Sequence, residues 1–263
     1  MTEKAIINYT TYTEGMRKSL LDKAFFMDKI EARVIVDYGC ADGALIHFLR
    51  VLFPEILYIG YDIDDEMLAQ ARAPLTKADE VVFTSDWDEV LNYVQSAESS
   101  AVLLSSVIHE VYAYGTRKEV TEMWSRVFES NFDYVVIRDM VPSITMDKKS
   151  NINDVKQILR KGDPGHVREF EQVWGSIEQN KNLIHYLLKY RYTDNWDREV
   201  RENYFPVTRE ELLSSIPDEY EIDFHEHFQL PFAVKTIKRD FNITLHDNTH
   251  LKLILEKVNG SQH

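Results

Sequence analysis

The chain is predicted to fold as one α/β domain with a mostly parallel sheet and helices on both faces. Three observations predict this class: short apolar runs alternate with helical patterns from residue 34 to 139, a glycine turn follows the first run, and two further β patterns close the chain. Alternation of strands and helices is typical of parallel sheets, because each helix returns the chain to the start of the next strand. With 263 residues, 44% of them hydrophobic, the chain can bury a sizeable core, and two independent domains are not expected.

The elements follow from the spacing of apolar residues. Strands are predicted over 34–37, 56–62, 80–84, 101–107 and 133–139, and helices over 12–30, 43–53, 65–73, 87–97 and 117–130. After residue 142 the alternation stops, and helices are predicted over 150–162 and 166–192. A last helix is predicted after Thr208, whose Thr-Arg-Glu-Glu pattern indicates a capping box. The final β patterns lie near 220–230 and 249–257.

The first apolar run leads into a tight turn, Val34-Ile-Val-Asp-Tyr-Gly-Cys-Ala-Asp-Gly43. Gly39 and Gly43 let the chain turn where a side chain would collide with a ligand. The second apolar run ends on Asp62, and a carboxylate at that tip of a βαβ unit can accept hydrogen bonds from both hydroxyls of a ribose. The pattern predicts a nucleotide-cofactor site at the ends of the first two strands.

Two kinds of cofactor use this layout. A dinucleotide site favours glycine where this chain has Ala41, and it would bring a pyrophosphate close to Asp37. A carboxylate at that place suits a cationic ligand better. S-adenosylmethionine carries an amino group and a sulfonium and has no phosphate, so the residues favour it, with an NAD(P)-binding oxidoreductase as the alternative.

The segment Asp37-Tyr-Gly-Cys-Ala-Asp-Gly43 resembles the first motif, D-x-G-x-G-x-G, of the class I, Rossmann-like S-adenosylmethionine-dependent methyltransferases. Ala41 replaces the middle glycine of that motif. Residues 60–71 resemble the second motif and residues 81–87 the third, while residues 101–110 stand at the place of the fourth strand, whose end faces the methyl group in this family. Four motifs in the family's order and spacing are a specific signal.

The resemblance implies a seven-stranded, mostly parallel sheet with an antiparallel last strand, arranged in three α/β/α layers. It implies S-adenosylmethionine as the cofactor and S-adenosylhomocysteine as the product. The residues that would contact the cofactor are Asp37, Gly39, Cys40, Ala41, Gly43, Asp62, Ile63, Asp86, Trp87 and Ser105. For Asp86 and Trp87 the alternative is a helix N-cap followed by a core aromatic residue.

His109 and Glu110 lie just beyond the fourth strand and are the candidate catalytic residues. Methyl transfer to oxygen or nitrogen needs an aligned lone pair, and a base helps when the acceptor carries a proton. His109 could be that base, or it could order the loop and pack on the methionine moiety. Glu110 could bind a cation or be a solvated turn residue.

Three parts of the chain are distinguished by their pattern and by the resemblance. Residues 1–30 are predicted to form a helical flap over the cofactor, and residues 31–142 with 206–258 to form the methyltransferase core. Residues 143–205 are predicted to be a helical insertion that acts as a substrate lid. The aromatic and basic residues between 189 and 204 are interleaved with acids, which favours a lid that packs its aromatic rings inward.

Composition excludes several classes of protein. The net charge of −14 disfavours a surface built to grip a long nucleic acid. The single cysteine, Cys40, excludes disulfides within the chain, a four-cysteine zinc site and an iron–sulfur cluster for radical chemistry. His225, His227, His246 and His250 could form a metal site, but packed or exposed histidines are favoured, and no metal is predicted. No signal peptide or membrane-spanning run is recognised, and a cytoplasmic location is expected.

Motifs that the chain lacks narrow the range of possible methyl acceptors. Methyltransferases that act on exocyclic amines of DNA usually have a D/N/S-P-P-Y/F motif after the fourth strand. This chain has Ser105-Ser-Val-Ile108 at that place. Cys40 lies in the glycine turn and not where cytosine C5 methylation needs a nucleophile, and no Lys-Asp-Lys-Glu tetrad is recognisable. A small molecule methylated on oxygen or nitrogen is favoured. An RNA or tRNA base methyltransferase and an inactive cofactor-binding module stay as alternatives, and the oligomeric state is not defined.

Overall fold

Seven strands form one sheet in the computed structural model, which describes residues 19–76 and 80–258. The strands are β1 Val34–Tyr38, β2 Leu57–Tyr61, β3 Val81–Thr84, β4 Ser100–Ser105, β5 Tyr134–Met140, β6 Tyr220–Phe228 and β7 His250–Lys257. Their order is β3-β2-β1-β4-β5-β7-β6, and β7 runs antiparallel to both of its neighbours while the other pairs are parallel. The predicted fold class, with its antiparallel last strand, is confirmed.

Helices flank the sheet and build the insertion. The described helices are α1 Leu20–Lys23, α2 Ala44–Leu52, α3 Asp65–Arg72, α4 Trp87–Ser96, α5 Ile108–Tyr114, α6 Arg117–Glu129, α7 Ile152–Lys161, α8 Pro164–Trp174, α9 Asn180–Lys189, α10 Trp196–Glu199, α11 Arg209–Ser214 and α12 Pro231–Phe241. The predicted capping box is present at α11, where Thr208 and Glu211 cap each other's backbone. No described helix combines the length and the apolar character that crossing a membrane requires.

The direction of the strand order changes between β1 and β4. Chain connections lead from β1 to β2 and β3 on one side and to β4 and β5 on the other. In open α/β sheets the crevice outside the carboxyl ends of the strands at such a switch point is where ligands bind. All residues of β1 and β4 are buried, so the ends of these two strands are held rigidly.

A separate apolar cluster lies under the insertion. It combines residues of α8 and α9, among them Phe170 and Tyr186, with Ile237 and Phe241 of α12. The insertion therefore packs on a helix that follows β6 in the chain. The division of the chain into flap, core and lid stays a prediction, and residues 1–18 of the predicted flap lie outside the described part.

The predicted helix over 12–30 is wrong beyond Lys23 in the part that the structure describes. The chain continues in turns, with Met27 N–H donating to Ala24 O at 3.2 Å and Lys29 N–H donating to Phe26 O at 2.9 Å. Phe26 is fully buried and its ring meets that of Phe25 edge to face. Since two adjacent aromatic rings both pack inward, the backbone leaves the helical path there.

The other differences concern helix ends and three helices that the sequence pattern did not reveal, α5, α10 and α12. The predicted helix over 166–192 is two helices, α8 and α9, because Gly175 adopts a φ of +89°, which glycine tolerates best. The helix after Thr208 is not the last one, since α12 begins at Pro231, a residue suited to the first helical position. Residues 108–114, predicted as the loop beyond the fourth strand, form α5.

Candidate functional site

A cavity of about 1240 Å³ opens at the carboxyl ends of β1, β2 and β4. The lining includes the glycine turn, which we call the floor, and residues 105–111 and residues 187–204 of the predicted insertion, which we call the walls. Most of the predicted site residues line this cavity: Asp37, Gly39, Cys40, Ala41, Asp62, Ile63, Ser105, His109 and Glu110. Gly43, Asp86 and Trp87 are not among the lining residues.

The turn after β1 uses left-handed backbone at three alternate positions. Gly39 has a φ of +77° and Gly43 a φ of +71°, and Ala41 between them has a φ of +48°. A Cβ on Gly39 would lie 2.5 Å from Val107, and one on Gly43 would lie 2.7 Å from the ring of Phe83. Ala41 thus holds a conformation that costs a side-chain-bearing residue about 1–2 kcal/mol, which explains why the resembling motif has glycine at this place.

Asp62 follows β2 and ties this turn to the next strand end. Its Oδ2 accepts a hydrogen bond from Ala41 N–H at 2.8 Å, and its Oδ1 accepts one from Asp64 N–H at 2.9 Å. The carboxylate is therefore held at the cavity wall. Ile63, beside it, is 74% exposed, so the wall offers an apolar surface next to a fixed hydrogen-bond acceptor.

Two opposite charges face the cavity floor without a fixed partner. Asp37 and Lys23 are both buried, and within the described residues neither side chain makes a hydrogen bond or an ion pair. Burial raises the pKa of Asp37 to about 7, although the ammonium of Lys23 opposes the rise. Burial likewise lowers the pKa of Lys23, assisted by the charge of Arg138. Buried charges normally have partners, so this pair indicates a polar ligand.

A chain of buried charges lies at the ends of β4 and β5. His109 Nδ1 is 2.5 Å from Asp139 Oδ1, and His109 Nε2 is 3.2 Å from Glu202 Oε1. Burial alone would lower the pKa of His109, but the two carboxylates raise it to about 10. His109 is therefore an imidazolium at neutral pH and has no lone pair to offer. The geometry favours the alternative in which His109 orders its surroundings, and its role as a base stays a prediction.

Glu202 brings the predicted insertion into contact with the core. Its Oε2 accepts a hydrogen bond from Tyr114 at 3.0 Å and lies 3.3 Å from Arg198 Nη1. Arg198 Nη2 also lies 3.4 Å from Glu110 Oε1. Against the effect of burial, His109 and Arg198 lower the pKa of Glu202 to about 2. Glu110, the second predicted catalytic residue, is thus part of an ion-paired network that spans both sides of the cavity.

Lys189 fixes the segment that carries Glu202. Its buried ammonium donates hydrogen bonds to the carbonyl oxygen of Glu202 at 2.5 Å and to that of Glu199. The same nitrogen lies 3.8 Å from the centre of the Tyr204 ring, whose hydroxyl donates to the carboxylate of Glu199. One buried side chain therefore holds the backbone carbonyls of Glu199 and Glu202 and the turn between them.

Three of these residues could in principle share a cation. One ligand atom each from His109, Glu110 and Glu202 lies within 4.8 Å of the others. Arg198 contacts both carboxylates and His109 keeps its proton, so the protein itself supplies the positive charge that a metal ion would bring. Among the histidines near the carboxyl end, His227 contacts the carbonyl of Val141 at 2.9 Å. His250 contacts the hydroxyl of Thr249 at 2.8 Å and also lines the cavity.

Asp86 and Trp87 lie where a structural role accounts for both. Asp86 caps α4 and accepts a hydrogen bond from Asp88 N–H at 2.9 Å. The ring of Trp87 packs 5.5 Å from that of Tyr38 and 5.0 Å from that of Tyr61. This geometry favours the alternative of a cap followed by a core aromatic residue, and adenine binding by these two residues stays a prediction.

Sequence reasoning missed Asp139, Glu202 and Arg198. Asp139 ends β5 in Arg138-Asp-Met140, and a carboxylate at the tip of a strand next to the switch point was the available signal. Glu202 and Arg198 were recognised only as parts of a predicted lid segment in which aromatic, basic and acidic residues alternate. Their partners stand in other parts of the chain, so no local spacing reveals them.

The buried ion network predicts a stability that depends on pH. The pKa of His109 is raised from 6.5 to about 10. Its contribution to the free energy of unfolding is therefore complete below pH 6.5 and is lost as the pH rises toward 10. The pKa of Glu202 is lowered from 4.5 to about 2, so its contribution is complete above pH 4.5 and is lost as the pH falls toward 2. We expect the network to stabilise the fold most between these limits, as measured by urea unfolding at a series of pH values. His109→Gln should flatten the alkaline slope, and equal slopes for wild type and variant above pH 7 would contradict the assignment.

Comparisons with known proteins agree with this architecture. No protein-family model matches the chain, and no curated protein matches it. Among solved structures, the pyocyanin biosynthetic protein PhzM matches 94% of this chain over 57% of its own length, with 13% identity and a TM-score of 0.52. TnmH matches 95% over 58% of its own length, with 12% identity and a TM-score of 0.50. The chain therefore spans less than two thirds of either protein.

A third solved structure matches end to end. A SAM-dependent methyltransferase from Archaeoglobus fulgidus covers 95% of this chain and 100% of its own length, with 18% identity and a TM-score of 0.48. At these identities the likeness to PhzM and TnmH, whose TM-scores reach 0.50, is one of fold. The chain has the α/β fold of the class I S-adenosylmethionine-dependent methyltransferases.

Proposed function

We propose that the protein is an S-adenosylmethionine-dependent methyltransferase that acts on an oxygen or nitrogen atom of a small molecule. This proposal rests on Asp37 and Lys23, which are buried and, within the described residues, make no hydrogen bond or ion pair. Both line the cavity, as does the carboxylate of Asp62, which is held by Ala41 N–H. An α-amino acid end has one ammonium and one carboxylate, and it satisfies both members of the pair. A pyrophosphate would satisfy Lys23 alone and would be repelled by Asp37.

The cavity residues fit the separate parts of this cofactor. Asp62 is placed to accept hydrogen bonds from ribose hydroxyls, and Ile63 offers its exposed surface to the adenine ring. Asp37 would accept hydrogen bonds from the α-ammonium, and Lys23 would donate to the α-carboxylate. Ser105 Oγ, which is buried and has no hydrogen-bond partner among the described residues, lines the same cavity and can donate a hydrogen bond. When bound, S-adenosylmethionine supplies a methyl group that its sulfonium charge makes electrophilic.

The protein's own groups limit the kind of acceptor atom. His109 holds its proton to a pKa of about 10, and Glu202 has a pKa lowered to about 2. Neither is tuned to take a proton near neutral pH, since an effective base has a pKa close to the working pH. We therefore expect an acceptor that already has a free lone pair when it binds, such as an uncharged nitrogen or an ionised hydroxyl. The residues of the cavity walls would then orient this acceptor.

The proposal is tested by calorimetry with two related ligands. S-adenosylhomocysteine has the amino acid end, whereas 5′-methylthioadenosine lacks it. We expect Lys23→Met to weaken S-adenosylhomocysteine binding about tenfold or more, because a charge-assisted hydrogen bond contributes about 1.5–3 kcal/mol. The same variant should leave 5′-methylthioadenosine binding within about twofold, since that ligand does not reach Lys23.

Lys29→Met is the matched control, because Lys29 is an exposed lysine of the same segment that pairs with Asp28. No binding of S-adenosylhomocysteine by the wild type would refute the proposed function. An equal loss of affinity for both ligands in Lys23→Met would refute the role of Lys23. Tight binding without transfer of labelled methyl across a broad panel of acceptors would favour the inactive binding module.

A further inference from the structure

Part of the cavity is lined by residues of the insertion and of the start of α12. We call it the acceptor arm; the lining residues that define it are Leu188, Arg191, Tyr192, Asn195, Leu230 and Phe232. Two of its aromatic side chains are unusually open, since Phe232 is 50% exposed and Tyr192 is 45% exposed. Large aromatic surfaces exposed within a concavity mark binding sites more often than packing defects.

Arg191 places a positive charge on this aromatic surface. Its guanidinium carbon lies 4.4 Å from the centre of the Phe232 ring. Among the described residues no carboxylate lies within ion-pair distance of it. The neighbouring Asp240, whose pKa the charge of Arg191 helps to lower, is bound by Arg239 at 2.5 Å and by the hydroxyl of Tyr190 at 2.6 Å. Arg198, deeper in the cavity, is paired with carboxylates. The positive charge at the outer end of the arm is therefore available to an anion.

Asn195 adds a hydrogen-bonding group to the wall. It is only 6% exposed, and its Oδ1 is fully buried without a hydrogen-bond partner among the described residues. A buried polar group without a partner lowers the stability of the fold. Since the residue lines the arm, a polar substituent of a ligand is the partner that would recover this energy.

From these three features we infer that the methyl acceptor is a planar aromatic small molecule that carries an anionic group. Its ring packs on Phe232 and Tyr192, its carboxylate or phosphate pairs with Arg191, and a ring substituent meets Asn195. The inference rests on the proposed methyltransferase function and names the substrate class for that site. An aliphatic acceptor would leave the stacked arginine and aromatic ring without a role, and a cationic one would be repelled by Arg191.

The test uses the full chain saturated with S-adenosylhomocysteine and calorimetric titration with four defined probes. The probes are 2-naphthoate, 1-naphthyl phosphate, 2-naphthylmethylamine and cyclohexanecarboxylate. We expect the better of the two aromatic anions to bind at least about tenfold more tightly than the aromatic cation and the non-aromatic anion, since one charged contact or one stacked ring supplies about 1.4 kcal/mol or more. Which of the two anions binds better identifies a carboxylate or a phosphate as the recognised group.

Two exposed-site variants separate the contributions. Arg191→Gln should remove the preference for anion over cation, and Phe232→Leu should remove the preference for aromatic over saturated ring. Arg160→Gln, on the exposed face of α7, is the matched control and should change nothing. Equal binding of the aromatic cation and anion by the wild type would overturn the inference, as would unchanged preferences in both variants.

The order of measurements distinguishes the two proposals. Failure of S-adenosylhomocysteine to bind refutes the proposed function and with it the inference. Binding of S-adenosylhomocysteine without binding of either aromatic anion at millimolar concentration refutes the inference alone. The comparison of probes on the wild type does not depend on any variant, so a variant that folds poorly leaves the result decisive.

Discussion

Asp62→Ala is expected to weaken S-adenosylhomocysteine binding about 100-fold or more. The carboxylate is held at the cavity wall by Ala41 N–H at 2.8 Å and Asp64 N–H at 2.9 Å, so it is oriented before a ligand arrives. Loss of two hydrogen bonds to a charged acceptor removes about 3–6 kcal/mol of contact energy, and a 100-fold change in affinity needs only about 2.7 kcal/mol. Isothermal calorimetry with S-adenosylhomocysteine measures the effect directly.

Asp64→Ala is the control for this experiment. Asp64 belongs to the same turn and caps α3 by accepting hydrogen bonds from Glu66 N–H and Met67 N–H, so its removal costs about 1 kcal/mol of stability. Because Asp64 does not line the cavity, ligand affinity should stay within about twofold of the wild type. Similar affinities for Asp62→Ala and Asp64→Ala would show that the ribose site lies elsewhere.

Asp139→Asn is expected to lower the free energy of unfolding by about 3–5 kcal/mol, because it removes the nearer carboxylate of a buried ion pair and leaves His109 only the more distant one of Glu202. His109 loses the carboxylate at 2.5 Å, and the backbone N–H groups of Ile108 and Met140 lose a charged acceptor at 2.7 Å. For a chain of this size the loss corresponds to a fall in Tm of roughly 10 °C. Urea and thermal unfolding at pH 7 measure both quantities.

Asp147→Asn is the matched substitution at an exposed position and should change the free energy of unfolding by less than about 0.5 kcal/mol. The contrast between the two variants separates the ion network from a general effect of removing one negative charge. A loss below about 1 kcal/mol in Asp139→Asn would mean that His109 sheds its proton and that the network is not held as a set of charges.

Local patterns were sufficient to predict the sheet and the glycine turn. β1 and β4 are short apolar runs buried on both faces, and the turn after β1 needs left-handed backbone at Gly39 and Gly43. Both properties follow from the types of a few consecutive residues. The place of Asp62 also follows locally, since it is the residue that ends the second strand of the unit.

The rest of the site depends on contacts between distant parts of the chain. His109 meets Asp139 and Glu202, and Lys189 gains its role only when the segment after α10 folds over it. The predicted base role of His109 depended on its position after a strand, while its protonation depends on those two carboxylates. The missed break at Gly175 was different, because the signal was present and the long apolar periodicity around it outweighed the glycine.

The cross-linked charges of His109, Glu202 and Arg198 constrain how this protein scaffold could be re-engineered. A chimera that exchanged the insertion for one from another protein of this fold would remove Glu202 and Arg198, so that His109 would keep only one of its two carboxylates and Glu110 would lose its contact with Arg198. An exchange of segments that is meant to change ligand specificity must therefore move α5 together with the insertion. The two halves of the pocket are inherited as a single unit, although about a third of the chain separates His109 from Glu202 along the backbone.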